Sequence, residues 1–229
     1  MLVLDWMKTK VITVHMEDTM QSAIHLLVDH RISMLPVLKD GKLVGIVTDR
    51  DLKRAAPADT VMLDVQHILY HLSRVTIESV MTRDPITIPV DFTVEEAAEV
   101  FLRHRISGCP VVDENSNMVG IITKSDLFRA LISTSGLIRR GVHFGFVIAD
   151  EPGSIKELTD VVREFGGRLV SILTSYEGAP QGKRFVHIRA FDIDRATIPD
   201  LESRLRDRAE MLYLVDHKEN RRQIFRKRR

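Results

Sequence analysis

Met20, Ala23, Ile24, Leu27 and Val28 stand at i, i+3, i+4, i+7 and i+8, so they mark the apolar face of an amphipathic helix. Pro36-Val37-Leu38 and Leu43-Val44-Gly45-Ile46-Val47 then read as two short strands joined by a Lys39-Asp40-Gly41-Lys42 turn. A second helix starts near Asp49. The whole succession then returns. Val94, Ala97, Ala98, Phe101 and Leu102 repeat the helical spacing, and Thr93 with Glu96 forms a capping box. The second hairpin spends Asp113 to Asn117 on its turn, and its closing helix begins near Lys124.

The residues themselves repeat as well as the pattern. Met7, Ile12, Thr13, Thr19, Ala23, Pro36 and Val37 recur as Met81, Ile86, Thr87, Thr93, Ala97, Pro110 and Val111. His30-Arg31-Ile32-Ser33 returns intact as His104-Arg105-Ile106-Ser107. After one inserted residue, Val44-Gly45-Ile46, Thr48 and Asp51 return as Val119-Gly120-Ile121, Thr123 and Asp126. Two βαββα units, about 7–55 and 81–131, are therefore expected within a domain spanning 1–135. Between them Ala55 to Asp59 is a breaker-rich link, followed by a helix striped with Val61, Val65, Ile68, Leu69 and Leu72. A unit of about 50 residues buries little core alone, so the two are expected to pack as one body.

Past Ser133 to Gly136 the pattern changes. Strand-like Val142 to Ala149 precedes a helix carrying Ile155, Leu158, Val161, Val162 and Phe165, which Gly166-Gly167 ends. Leu169 to Tyr176 and Phe185 to Phe191 read as strands, Ile198, Leu201 and Leu205 as a helix, and Met211 to Val215 as a last strand. The order βαββαβ over 142–217 predicts a ferredoxin-like antiparallel sheet with helices on one face. The fold class is thus α/β, in the α+β sense.

Composition narrows the partners. The 229 residues are 44% hydrophobic and 28% charged, with a net charge of +1, so bulk electrostatics does not select polyanions. Charge is nevertheless uneven, because the tail 218–229 holds seven basic residues and one acid. Cys109 is the single cysteine, which excludes an intramolecular disulfide. The first residues lack a basic region followed by an apolar one, and no apolar run approaches the ~20 residues of a membrane span. A cytoplasmic location, with no membrane partner, is expected.

The candidate chemistry sits where each hairpin meets its closing helix. Gly45-Ile46-Val47-Thr48-Asp49-Arg50-Asp51 and Gly120-Ile121-Ile122-Thr123-Lys124-Ser125-Asp126 place a hydroxyl and a carboxylate at a helix start. A carboxylate can accept from two vicinal hydroxyls of a ribose. The hydroxyl and free N–H groups favour a phosphate, and Arg50 and Lys124 can add a cation. The same Thr-x-x-Asp spacing is also that of a helix cap needing no ligand. The residues alone leave both readings open.

Over Met7 to Leu131 these features resemble a tandem CBS-domain pair. The resemblance implies that Asp51 and Asp126 bond ribose, that Thr48 and Thr123 help hold phosphate, and that Thr13 and Thr87 lie beside adenine. It implies a regulatory, non-catalytic protein that takes an adenosine-containing ligand (AMP, ADP, ATP, NAD or S-adenosylmethionine), forms a homodimer and acts on another protein. AMP-sensing relatives place basic residues just before the Pro-Val strand, where this chain has Ser33-Met34-Leu35 and Ser107-Gly108-Cys109. Ligands with less anionic charge, S-adenosylmethionine or a dinucleotide, would need less compensation.

Residues 142–217, with Asp150-x-Pro152-Gly153 at the first turn, resemble an ACT domain. That resemblance implies an amino acid held at Asp150, Gly153 and Ser154, with dimerisation as the other role for the same sheet. The pair of modules together resembles stand-alone bacterial proteins of the acetoin-utilisation type.

Other constellations are weaker. Asp64, His67 and His71 share a helical face but offer three ligands without a fourth, so no metal site is assigned. Cys109 stands in an apolar strand with no His-Asp partner, and no Walker, HExxH or GxSxG motif occurs, so no catalytic residue and no cofactor are expected. A nucleic-acid-binding regulator acting through the basic tail is the alternative, though no recognition motif accompanies it.

Overall fold

The computed structural model describes residues 1–55 and 72–225. The expected link helix up to His71, with Asp64, His67 and His71, lies outside the described residues. The chain divides into two compact units, Met1–Ala130 and Leu131–Arg229.

In the first unit, the first repeat supplies β1 (Val14–His15), α1 (Met20–Asp29), β2 (Met34–Lys39), β3 (Lys42–Thr48) and α2 (Asp49–Ala55). A short α3 (Ile77–Val80) and β4 (Thr82–Arg83) lead into the second repeat: β5 (Ile88–Pro89), α4 (Val94–His104), β6 (Gly108–Val112), β7 (Met118–Thr123) and α5 (Lys124–Thr134). In each copy the first strand runs parallel to the second and the second antiparallel to the third. Asp40 and Gly41 make the first hairpin turn with φ of 49° and 74°, the left-handed pair that a tight hairpin requires. The capping box also forms. Thr93 accepts from the Glu96 amide at 3.2 Å while Glu96 accepts from the Thr93 amide at 2.8 Å.

The two repeats are not separable at residues 7 and 81. The amides of Val3 and Leu4 donate to Phe92 and Val90 of the second repeat, and Val94 donates to Met1. In mirror fashion Ile77 and Glu78 donate to Asp18 and Met16 of the first repeat, and Met20 donates to Val75. Val3, fully buried, belongs to the core of Ile88, Phe101 and Val111, whereas Ile77, equally buried, belongs to that of Val14, Leu35 and Val47. Each repeat's leading segment thus completes the other's core. Behind it, Thr82 pairs with Ile46 and Lys8 with Ile121. Gly45 and Gly120 allow these crossings, since a Cβ there would lie 2.6 Å from the sulfur of Met81 or Met7.

The expected helical faces are narrower than the sequence pattern. Val28 and Leu102, equivalent in the two copies, are 68% and 75% exposed. Met20, Ala23 and Leu27, and likewise Val94, Ala97 and Phe101, fill the available space, and the i+8 position turns away from it.

In the second unit β8 (Val142–Ala149), α6 (Ser154–Glu164), β9 (Arg168–Ser175), β10 (Lys183–Phe191), α7 (Ile198–Arg206) and β11 (Glu210–Asp216) follow the expected βαββαβ order. Val142, Phe144, Phe146 and Ile148 alternate onto the face packed with Leu158, Val162, Leu201 and Leu205. The sheet has one strand more than expected. β12 (Arg221–Ile224) pairs antiparallel with β11, giving the order β12-β11-β8-β10-β9. Part of the basic tail, Arg221 to Ile224, is therefore sheet. Its backbone covers the N–H and C=O groups that β11 would expose as an edge. Phe225 then packs against the core under the Arg206 guanidinium. Among the described residues no helix is long and apolar enough to cross a membrane.

Candidate functional site

Both Thr-x-x-Asp segments form the helix cap. The Thr48 amide and hydroxyl donate to Asp51 Oδ2 at 3.0 and 2.6 Å, and the Asp51 amide donates back to Thr48 Oγ1 at 3.3 Å. The Thr123 amide and hydroxyl reach Asp126 Oδ2 at 2.8 and 2.5 Å. The copies then diverge. Asp126 is fully buried and its second oxygen takes the Arg129 guanidinium. Asp51 is half-buried and borders a small hollow of about 240 Å³ with Arg54 and Ser79. Only Asp51 therefore meets open space.

The larger cavity, about 600 Å³, joins pieces of both repeats. Reciprocal backbone bonds between Lys8 and Ile121, 2.9 and 3.0 Å, lay the first repeat's leading segment against β7. This brings Lys8, Lys10, Val11 and Ile12 opposite Thr123, Lys124 and Ser125, with the stretch from His30 to Met34 and Ser107 closing the sides. The Lys124 amide donates to the Ser107 carbonyl at 2.9 Å, fixing the start of α5 at the cleft. Val11, Ile12, Ile32 and Met34 offer apolar wall for a flat ring. Ser33, Ser107, Thr123 and Ser125 offer hydroxyls, while Lys8, Lys10, Arg31 and Lys124 offer positive charge with no acid among the lining residues.

Of the expected nucleotide residues, Thr123 and Lys124 line this cavity. Asp126 lies behind it, holding Thr123. Thr13 is half-buried beside the lining residue Ile12 and directly precedes β1, as Thr87 precedes β5. Thr48, Arg50, Asp51 and Thr87 are not among the lining residues. The positions before the Pro-Val strands carry no cation, but Lys8, Lys10 and Arg31 line this cavity. Strand exchange brings Lys8 and Lys10 here.

In the second unit Gly153 adopts a φ of 92°, and Ser154 Oγ donates to the Glu151 carbonyl at 2.8 Å. Asp150 accepts from Tyr176 Oη at 3.2 Å and pairs with Arg184 at 3.4 Å. A cavity of about 380 Å³ opens beside this turn. Ser154 lines it, with Glu151, Glu157, Lys183, Arg208 and Glu210, whereas Asp150 and Gly153 do not. On the sheet face away from the helices, Tyr213 Oη lies 2.8 Å from His187 Nδ1 and 3.3 Å from His143 Nε2, a cluster the sequence reading missed. Burial, with help from the charge of Arg189, pushes His143 down to about 4. Arg189 is itself buried and donates to the Ser135 carbonyl at 2.8 Å. Cys109 is buried in β6, and burial pushes its thiol up to about 12, which keeps it protonated and unreactive. Among the described residues no cluster of three metal-ligating side chains occurs.

The CBS-domain family model matches residues 3–58 and 77–133, so its first match starts within the exchanged leading segment. An uncharacterised protein of Methanocaldococcus jannaschii is 33% identical over 155 residues, covering 58% of this chain and 92% of that protein. An inosine-5'-monophosphate dehydrogenase of Korarchaeum cryptofilum is 37% identical over 118 residues, covering 52% of this chain but only 22% of the enzyme. Among solved structures, the CBS domain pair of protein MJ0100, in complex with 5'-methylthioadenosine and S-adenosyl-L-methionine, is 34% identical with a TM-score of 0.47, covering 57% of this chain and 95% of that one. A CBS domain-containing protein of Dictyostelium discoideum is 33% identical over 132 residues, covering 57% of this chain and 91% of that protein, and with the doubled family match this shows that the chain belongs to the CBS-domain family.

Proposed function

We propose that this chain is a non-catalytic, cytoplasmic regulatory protein that binds an adenosine-containing ligand in the cleft between its CBS repeats. The observation that carries the reading is the 600 Å³ cleft itself, which sets an apolar wall, hydroxyls and cations contributed by both repeats around one space. A ligand seated there touches both repeats at once. It can therefore favour one arrangement of them to the extent of its differential affinity, and pass that preference to an unidentified regulated protein. Calorimetric titration with AMP, ADP, ATP, NAD and S-adenosylmethionine tests it. Saturable binding lost in Thr123→Ala/Lys124→Ala supports the assignment, and no heat from any of the five rejects it.

A second reading concerns the other unit. Lys183, Arg208, Glu151, Glu157 and Glu210 line the cavity beside Ser154, and charges of both signs suit a zwitterion. An ACT-like role, with an amino acid as co-effector, follows, and the pairing with CBS repeats resembles acetoin-utilisation-type proteins. Homodimerisation is part of the proposal, supported by Phe128, Leu131 and Ile132, which α5 leaves exposed.

A further inference from the structure

The two halves of the CBS pair are built alike but charged differently. Lys8 and Ile121 pair in one half as Thr82 and Ile46 pair in the other. Likewise Lys124 donates to Ser107 as Asp49 donates to Ser33. These matched contacts identify equivalent places. In the 600 Å³ cleft the place is lined by Lys8, Lys10 and Lys124. Their counterparts in the other half are Thr82, Asp84 and Asp49. Arg31 and its counterpart Arg105 are common to both, and Ser125 corresponds to Arg50. Among the described residues the cleft thus gathers four cations without an acid, while their sequence counterparts supply two cations and two acids.

None of the four cleft cations makes an ion pair among the described residues, whereas Asp49 is held by Lys53 at 3.2 Å. Like charges gathered without counterions repel one another, and the arrangement becomes favourable when a multivalent anion bridges them. A neutral nucleoside does not use them, and a single phosphate uses only part. Lysine and arginine around phosphate oxygens form the stronger, charge-assisted kind of hydrogen bond.

We infer that the cleft lined by Lys8, Lys10, Arg31 and Lys124 selects a nucleoside di- or triphosphate, and that the equivalent place in the other half does not bind phosphate. The inference rests on the adenosine-binding reading above and adds the charge of the ligand and the half that takes it. The pair then distinguishes ligands by phosphate count at one position only.

The test is calorimetry on the full chain with adenosine, AMP, ATP and inorganic tripolyphosphate, at low and high salt. Affinity should climb from adenosine through AMP to ATP, with one tight ATP per chain that tripolyphosphate displaces and salt weakens. Lys8→Gln/Lys10→Gln, both exposed side chains, should lower the ATP-to-adenosine affinity ratio about tenfold or more. Lys42→Gln, at the first hairpin and outside the cleft, should leave it unchanged. Thermal melting of each variant confirms that it is folded. Equal affinities for adenosine and ATP, or an unchanged ratio in the double variant, overturn this inference and leave the adenosine reading standing. Tripolyphosphate bound through Lys8 and Lys10 with no adenosine compound bound overturns the adenosine reading and, with it, the selection of a nucleoside polyphosphate. Absence of all binding overturns both.

Discussion

Replacing Ile77 by alanine removes three carbon atoms from a fully buried side chain that belongs to one repeat by sequence and to the other by packing. Transfer alone costs roughly 0.8 kcal/mol per carbon, about 2.4 kcal/mol, and the residual cavity brings the loss to about 3–4 kcal/mol. A urea slope of about 2 kcal/mol per molar turns that into a fall of about 1.5 M in the unfolding midpoint. The single tryptophan makes the assay unusually direct. Trp6 packs on the core of Ile88, Phe101 and Val111, the core that Ile77 does not touch. If the exchanged segments join the repeats into one cooperative body, Trp6 fluorescence should report the full shift although the cavity is in the other core. A Trp6 midpoint that stays at its wild-type value, with the loss seen only by far-UV circular dichroism, would show two independently unfolding repeats and refute the reasoning.

Two further outcomes follow from packing and charge. Gly120→Ala and Gly45→Ala should each cost about 1–2 kcal/mol in thermal or urea unfolding, because the added carbon meets a methionine sulfur and a carbonyl oxygen 3.0 Å away. Met7→Ala should recover part of the Gly120→Ala loss but none of the Gly45→Ala loss. In the second unit, folding keeps His143 neutral by lowering its pKa from 6.5 to about 4. The unfolded chain therefore binds the extra proton first, and the stability this group contributes is full above about 6.5 and lost as the pH falls toward about 4. The unfolding temperature of the wild-type protein should drop across that window, and His143→Gln should flatten the slope.

What the sequence disclosed was local chemistry repeated. Hairpins, caps and helix starts depend on residues within a few positions of one another, and Asp40-Gly41, Thr93 with Glu96 and Gly153 behave as their spacing predicts. The exchange of leading segments was hidden because it rests on two isolated apolar residues, Val3 and Ile77, in stretches with little else in common. The cleft cations were hidden for the same reason, since Lys8 and Lys10 approach Lys124 only through pairing across more than a hundred residues. Arg221 to Ile224 read as a charged tail because a strand that covers a sheet edge needs backbone, not an apolar pattern. Val28 and Leu102 read as core because helical spacing gives a stripe's direction but not its width. The Thr-x-x-Asp spacing was legible, yet its hydrogen bonds serve the helix start, and the open space lies on Thr123 and Lys124.

The reciprocal exchange also governs the order in which the chain can fold as it is made. Residues 14–52 acquire their full core only when Ile77 has been synthesised, so the first repeat must wait, partly open, for a segment encoded after it. Val3 and Trp6 emerge before β5, α4 and β6, and have nowhere to dock until those elements follow. Such long sequence separations slow folding and leave apolar surface uncovered in the interval. Helper proteins or slow translation between residues 55 and 77 would act on that interval, and a ribosome-stalling series should show protection of Trp6 arising late and in a single step.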